Sequence, residues 1–171
     1  VWGSGPSSAP NVSPVAFLVD TCQNVYIAGW GGISPGSTTN GLPITSDAYQ
    51  SVTDGFDFYF IVFSKNALDL LYGSFFGTNG KNEHVDGGTS RFNPQGVVYQ
   101  AICASCGGGT GFPATPGAWS EVNGSNNCNL GAVKIAFNLG SVSAVAEANP
   151  NASGCVPFTV NFGNESSNAT S

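Results

Sequence analysis

Charge is what this sequence has least of. Only 8% of its 171 residues are Asp, Glu, Lys or Arg, against roughly 25% in ordinary domains. The four basic residues, Lys65, Lys81, Arg91 and Lys134, are scattered singly among ten acidic ones, for a net charge of −6. Nucleic-acid binders need clustered Lys and Arg to displace counterions from phosphates, so this composition argues against nucleic acid as a partner. It argues equally against charge-driven binding to an anionic membrane. No apolar run approaches the roughly 20 residues that span a bilayer, so direct membrane insertion is not expected. Met is absent even at position 1, and no leader pattern opens the chain, which reads as an internal or processed segment. Helical periodicity is also scarce. Only Ser46–Gln50 and Thr115–Ser120 could form a single turn, with Ser46 or Thr115 as its cap.

In place of charge stand 24 Gly, 10 Pro and many Ser, Thr and Asn, with aromatics at 12%. Turn-formers mixed with aromatic and β-branched residues describe short strands joined by many loops, hence an all-β fold. Five cysteines occur, Cys22, Cys103, Cys106, Cys128 and Cys155. Three of them crowd between Cys103 and Cys128. Such clustering in an extracellular type of composition reads as disulfide chemistry. The odd count leaves one cysteine over, and Cys155 is the candidate to pair outside the segment.

The chain repeats itself. Val25-Tyr26-Ile27-Ala28-Gly29, Leu42-Pro43-Ile44-Thr45, Ala48-Tyr49-Gln50 and the apolar run Phe56–Phe63 recur in order. Their counterparts are Val97-Val98-Tyr99-Gln100-Ala101, Phe112-Pro113-Ala114-Thr115, Ala118-Trp119-Ser120 and Ala132–Phe137. The shift from Pro43 to Pro113 equals that from Tyr49 to Trp119, whereas Tyr26 to Tyr99 is slightly longer, as a short insertion or deletion would make it. Within the first unit, Val15–Val19 and Val25–Gly29 flank a turn at Asp20–Asn24. Phe58–Phe63, apolar at every position, predicts a strand buried on both faces, and Leu70–Phe76 predicts another. Four short strands per repeat describe a propeller blade, and two blades alone cannot close a propeller. The expected division is 1–140 for two blades, about 15–77 and 84–138, and 141–171 for a different module. In that module Ser141–Ala148 alternates with period two, Asn149–Cys155 is a turn, and Val156–Phe162 is a second strand.

The first unit resembles the bacterial seven-bladed propeller repeat called SBBP. The features that carry the resemblance are Asp20, Asn24-Val25-Tyr26, Gly29, Pro43-Ile44-Thr45, Ala48-Tyr49-Gln50, Asp57-Phe58-Tyr59 and Leu71-Tyr72-Gly73-Ser74. The second unit, with His84–Phe92, Val98–Gly108 and Pro113–Ser120, is similar to a divergent blade of very large Bacteroidetes proteins exported by the type IX secretion system. Ala144–Phe162 looks like the opening of an immunoglobulin-like PKD β-sandwich, with Pro157–Phe162 as its second strand. The resemblance implies a non-catalytic segment of a secreted, outer-membrane-associated surface protein. Its roles would be adhesion, gliding motility or fibre scaffolding. Its partners would be other domains of the same polypeptide, surface polysaccharide, or the secretion and motility machinery. The alternative is a carbohydrate-binding or accessory propeller of a secreted glycan-degrading enzyme.

Few residues invite chemistry, and none is assigned a catalytic role or an organic cofactor. Cys103-x-x-Cys106 could be redox-active, but it precedes Gly107-Gly108-Gly109 rather than a helix N-terminus that would depress a thiol pKa. A zinc site would need His84, the only histidine, beside Cys103, Cys106 and Cys128. The favoured reading is a structural disulfide, Cys106–Cys128 or Cys103–Cys128, with Cys22 free or bridging between blades. His84 lies between Glu83 and Asp86, yet no nucleophile or second histidine accompanies it for acid–base work. Asp54, Asp57 and Asp86 sit in Gly-containing turns and are the calcium candidates, although their spacing fits no known calcium loop. Among the aromatics, Trp30 is the candidate for exposure and ligand contact. Trp119, aligned with Tyr49, is expected to pack between blades.

Overall fold

The computed structural model describes Gly3, residues 9–32, 34–86 and 90–137, and Leu139. The chain divides into two compact units, Val1–Phe137 and Asn138–Ser171. The proposed sandwich strands after Gly140 lie outside the described residues.

The first unit is all-β, with two antiparallel sheets and no α-helix among the described residues. Sheet one is a meander of β1 (Ser13–Val19), β2 (Val25–Trp30), β3 (Phe58–Phe63) and β4 (Leu70–Phe76), paired in that order. Sheet two is built on β7 (Val97–Cys106). Along one edge of β7 lie β5 (Asn82–His84) and β6 (Ser90–Phe92), and along the other lies β8 (Asn129–Ala136). The segments expected to form single helical turns are hydrogen-bonded turns instead. Ala48 N–H donates to Thr45 O at 3.1 Å and Ala118 N–H to Thr115 O at 3.0 Å, the same turn in both units. Pro43 and Pro113 precede these segments, and neither run is long enough to repay helix nucleation.

The two hairpin turns share one hydrogen-bond pattern. At Asp20–Asn24, Asp20 N–H donates to Asn24 O, Gln23 N–H to Asp20 O, and Asn24 N–H to Asp20 Oδ1 at 2.8 Å. At Asn93–Val97, Asn93 N–H donates to Val97 O, Gly96 N–H to Asn93 O, and Val97 N–H to Asn93 Oδ1 at 2.9 Å. The fourth residue is left-handed in both, Gln23 at φ 66° and Gly96 at φ 77°. An Asp or Asn opening the turn supplies the side-chain acceptor that stands in for a backbone carbonyl. The offset between the turns is the same one that separates Tyr26 from Tyr99.

β3 is buried at all six positions, as its uninterrupted apolar run predicts. Alternation sorts its side chains between two clusters. Phe58 and Phe60 join Ala16, Ala28 and Phe76 from sheet one and Val85, Val98, Ile102 and Ala104 from sheet two, with Phe137 packed against them. Tyr59, Ile61 and Phe63 face the other way, onto Leu42 and Phe75. The first cluster holds the two sheets together, and the second seats the long loop 31–57 on the outer face of sheet one.

Candidate functional site

Polar chemistry collects at two places, the junction of the two sheets and the C-terminal end of β7. At the junction, Gln50 links the loop to the sheet. Its backbone O accepts from Phe75 N–H at 3.1 Å, and its Oε1 accepts from Gly77 N–H at 3.0 Å. Its Nε2 donates to Val52 O at 2.8 Å and reaches Asp57 Oδ2 at 3.5 Å. Asp57, just before β3, is fully buried and also accepts from Asp54 N–H. Across from it, on β5, stands Glu83, likewise fully buried. Glu83 Oε1 accepts from Ser105 N–H at 3.1 Å. The free oxygens, Asp57 Oδ1 and Glu83 Oε2, have no hydrogen-bond partner, and both would collide with a Cβ placed on Gly77. They therefore converge on the same point, where only glycine leaves room.

Two carboxyl groups facing each other in a dry junction cannot both ionise cheaply. Burial pushes the Glu83 carboxyl up to about 7, hydrogen bonds from Thr78 and Ser105 offset part of the shift, and the Asp57 charge adds the smallest share. Burial raises Asp57 as well, partly offset by hydrogen bonds from Thr53, Asp54 and Gln50.

At the end of β7, Cys106 is bonded to Cys128, one of the two bridges favoured from sequence, and staples the loop 107–127 to the start of β8. Cys22 is also disulfide-bonded, which removes its reading as a free thiol. Cys103 remains a thiol. It faces His84 across the β5–β7 pairing, and Asp86, two residues on from His84, meets both. Asp86 Oδ2 lies 3.5 Å from Cys103 Sγ and 3.5 Å from His84 Nε2. His84 Nδ1 is 3.7 Å from Cys106 Sγ. His84 thus stands near Cys106 and Cys128 on one side and near Asp86 and Cys103 on the other, but Cys106 and Cys128 are consumed by their bridge. Burial, then the hydrogen bond to and charge of Asp86, raises the Cys103 thiol pKa, the reverse of what a thiolate nucleophile requires.

The three calcium candidates do not converge among the described residues. Asp54 holds turn amides at Phe56 and Gly80. Asp57 points into the junction, and Asp86 is exposed beside His84. The aromatic expectations are reversed. Trp30 packs against the inter-sheet core with its ring 5.6 Å from His84, because the last residue of β2 lies under sheet two. Trp119 is fully exposed, and its counterpart Tyr49 is largely exposed too although β4 runs beside it.

A groove of about 690 Å³ lies beside these rings. Its walls are β8 on one side and the loop 112–123 on the other, with Phe60, Tyr72 and Phe76 of sheet one beneath. Trp119 and Tyr49 stand among the residues that line it.

Comparison with protein-family models, with curated proteins and with solved structures returns no match for this chain. The buried acid pair and the groove were both missed from sequence. Glu83 reads there only as a neighbour of His84. Its place in a strand beside the apolar Val85 was the sole signal that it could point inward.

Proposed function

We propose that this chain is a non-catalytic scaffold segment of a secreted bacterial surface protein, two propeller-type blades leading into an immunoglobulin-like module. The observation that carries the reading is the matched pair of hairpin turns, at Asp20–Asn24 and Asn93–Val97, bonded alike. Each opens the same succession of strand, tight turn, strand, long loop and strand. Such duplication builds a radial array whose blades stack through apolar faces. The abundance of buried aromatic contacts between the two sheets supports a load-carrying role in adhesion, gliding motility or a surface fibre. Its partners would be other domains of the same polypeptide and surface polysaccharide or secretion and motility machinery.

The test is protease shaving of intact source cells, followed by deletion of the gene. The reading expects this segment to be released by protease from unbroken cells, and the deletion strain to attach or glide poorly. Protection from protease until lysis would overturn it.

A second reading, a carbohydrate-binding accessory to a secreted enzyme, is favoured by Trp119 and Tyr49, two exposed rings on one groove. Stacking of sugar faces on such rings would show as binding on a glycan array that Trp119→Ala abolishes. Binding unchanged in that variant would sink this reading.

A further inference from the structure

We propose that Cys103, His84 and Asp86 form a zinc site on the outer face of the β5–β7 pair, each giving one ligand atom and leaving a fourth position to solvent. The site is built wholly from the geometry of these two strands and does not depend on where the protein resides.

The pairing of β5 with β7 brings the three residues together. Glu83 and Val85 are buried in the junction of the sheets, so His84 and Asp86, which alternate with them, share the other face. On β7, Ile102 and Ala104 belong to the core between the sheets, and Cys103 between them turns outward. His84 and Cys103 are direct partners in the ladder, where Cβ atoms stand about 4.5–5.5 Å apart. Two adjacent strands therefore hold the ligands, and no long loop has to order around them.

The distances suit the metal. Asp86 Oδ2 lies 3.5 Å from Cys103 Sγ and 3.5 Å from His84 Nε2. One donor atom from each of the three residues falls within 4.8 Å of the other two. A tetrahedral zinc ion bonds sulfur at about 2.3 Å and nitrogen or oxygen at about 2.0–2.2 Å, which sets its ligand atoms about 3.3–3.7 Å apart. Two edges of that tetrahedron already have this length. The cluster is not closed by its own hydrogen bonds, because the His84–Asp86 contact is longer than the about 2.7–3.2 Å of a well-formed N–H···O bond.

The surroundings aim the imidazole. Its ring lies 5.6 Å from that of Trp30, and its Nδ1 is 3.7 Å from Cys106 Sγ. A metal-bound histidine gives its second nitrogen to a neighbouring group, which fixes the ring and its tautomer. With the ring proton on Nδ1, toward the disulfide sulfur, Nε2 presents its lone pair beside Asp86. Cys103 is the one cysteine among the described residues that stands outside a disulfide. Its sulfur selects zinc over calcium and magnesium, which take oxygen ligands. The metal takes the sulfur as thiolate, the proton passes to solvent, and the charge of the ion offsets repulsion from the Asp86 carboxylate. His84, Cys106 and Cys128 also lie within 4.8 Å of one another, but the two cysteines are held in their bridge. The set containing Cys103 is the one available with that bridge closed.

The experiment titrates the full chain, with its disulfides intact and no reductant present, with cobalt(II) and then with zinc(II). One equivalent of cobalt should give the visible ligand-field bands of a tetrahedral ion and a thiolate-to-cobalt charge-transfer band in the near ultraviolet. Zinc should abolish both, and excess calcium or magnesium should leave them unchanged. Cys103→Ser should remove the charge-transfer band. Asp86→Ala, at a side chain 80% exposed, should leave the fold intact by circular dichroism and weaken zinc binding at least about tenfold. Four outcomes would overturn the proposal. The first is no cobalt spectrum from the folded protein, and the second is a charge-transfer band that persists in Cys103→Ser. The third is displacement of cobalt by calcium as readily as by zinc. The last is a spectrum that appears only after the Cys106–Cys128 bridge is reduced, which would place the metal on those sulfurs instead.

Discussion

β3 and β8 pair in the same way with the long strand on one side, yet β3 is buried at every position while β8 exposes every second side chain. What differs is the other side. β3 is covered by β4 and by the loop that clasps it. β8 faces a groove. The contrast teaches that the burial of a strand belongs to its neighbours as much as to its composition. Phe58–Phe63 is aromatic-rich because both of its faces are covered. In β8 the facing positions have become Leu130, Ala132 and Lys134, which tolerate an open side.

The sharpest way to break the comparison is to truncate equivalent residues. Phe58 and Leu130 hold the same place in β3 and β8. Phe58→Ala should cost about 3–5 kcal/mol through the cavity it leaves, whereas Leu130→Ala should stay within about 0.5 kcal/mol. Urea denaturation of the two variants measures this. Equal losses would show that the edge of β8 is covered in solution.

Opening the Cys106–Cys128 bridge with Ser at both positions should come next. It frees a loop with a sequence separation of 22 residues, and the chain-entropy account gives a loss of about 3 kcal/mol. Calorimetry of this variant and of the parent would show the loss. Hydrogen exchange should place it in sheet two, leaving β1–β4 protected. A uniform loss across both sheets would mean that the two do not open separately.

The acid pair makes a prediction about pH. Glu83 titrates near 7 in the folded protein against an ordinary value of 4.5. The folded state therefore holds a proton that the unfolded chain has released. Stability from this group is complete below about pH 4.5, declines as pH rises toward 7, and is flat above that. The decline is on the order of 3 kcal/mol at most. Glu83→Gln should flatten this part of the stability–pH curve, because the amide can accept from Ser105 and donate to Asp57 at any pH. A curve of unchanged slope in the variant would show that Glu83 does not carry this titration.

The smallest effects belong to the hairpin turns, where the two sheets are most alike. Gln23→Gly should stabilise by about 0.5–1 kcal/mol, since Gln23 occupies a left-handed conformation, and Gly96→Gln should destabilise by a similar amount. Thermal denaturation of the exchanged pair checks both signs. Effects of unequal size would mean that the turns differ more than their hydrogen bonds do.

Much of this architecture is legible in the residues. The first hairpin turn announces itself through Asp20–Asn24, because turn chemistry is local, whereas its counterpart at Asn93–Val97 emerged only in the structure. β3 announces itself through an uninterrupted apolar run, and β4 through apolar residues on either side of Gly73-Ser74. The strand pairings of sheet two were harder to read, since β5 and β6 are three residues each and share one edge of the longer β7. The motif Ala48-Tyr49-Gln50 could be seen as repeated without revealing that Gln50 ties the loop to Asp57 and Gly77. Exposure of Trp119 was misread because its alignment with Tyr49 suggested a shared packing role, whereas both rings are exposed.

The sequence by itself determined the class of fold and the turn at Asp20–Asn24, and it narrowed the favoured disulfide to two pairings. Those properties depend on residues close in the chain or on periodicities that any strand must obey. Only the tertiary structure decided that Glu83 lies by Asp57, that Cys106 rather than Cys103 takes Cys128, and that β8 pairs with β7 alone among the described residues. Each of these depends on which segments of distant sequence come to lie side by side, and local pattern carries no record of that.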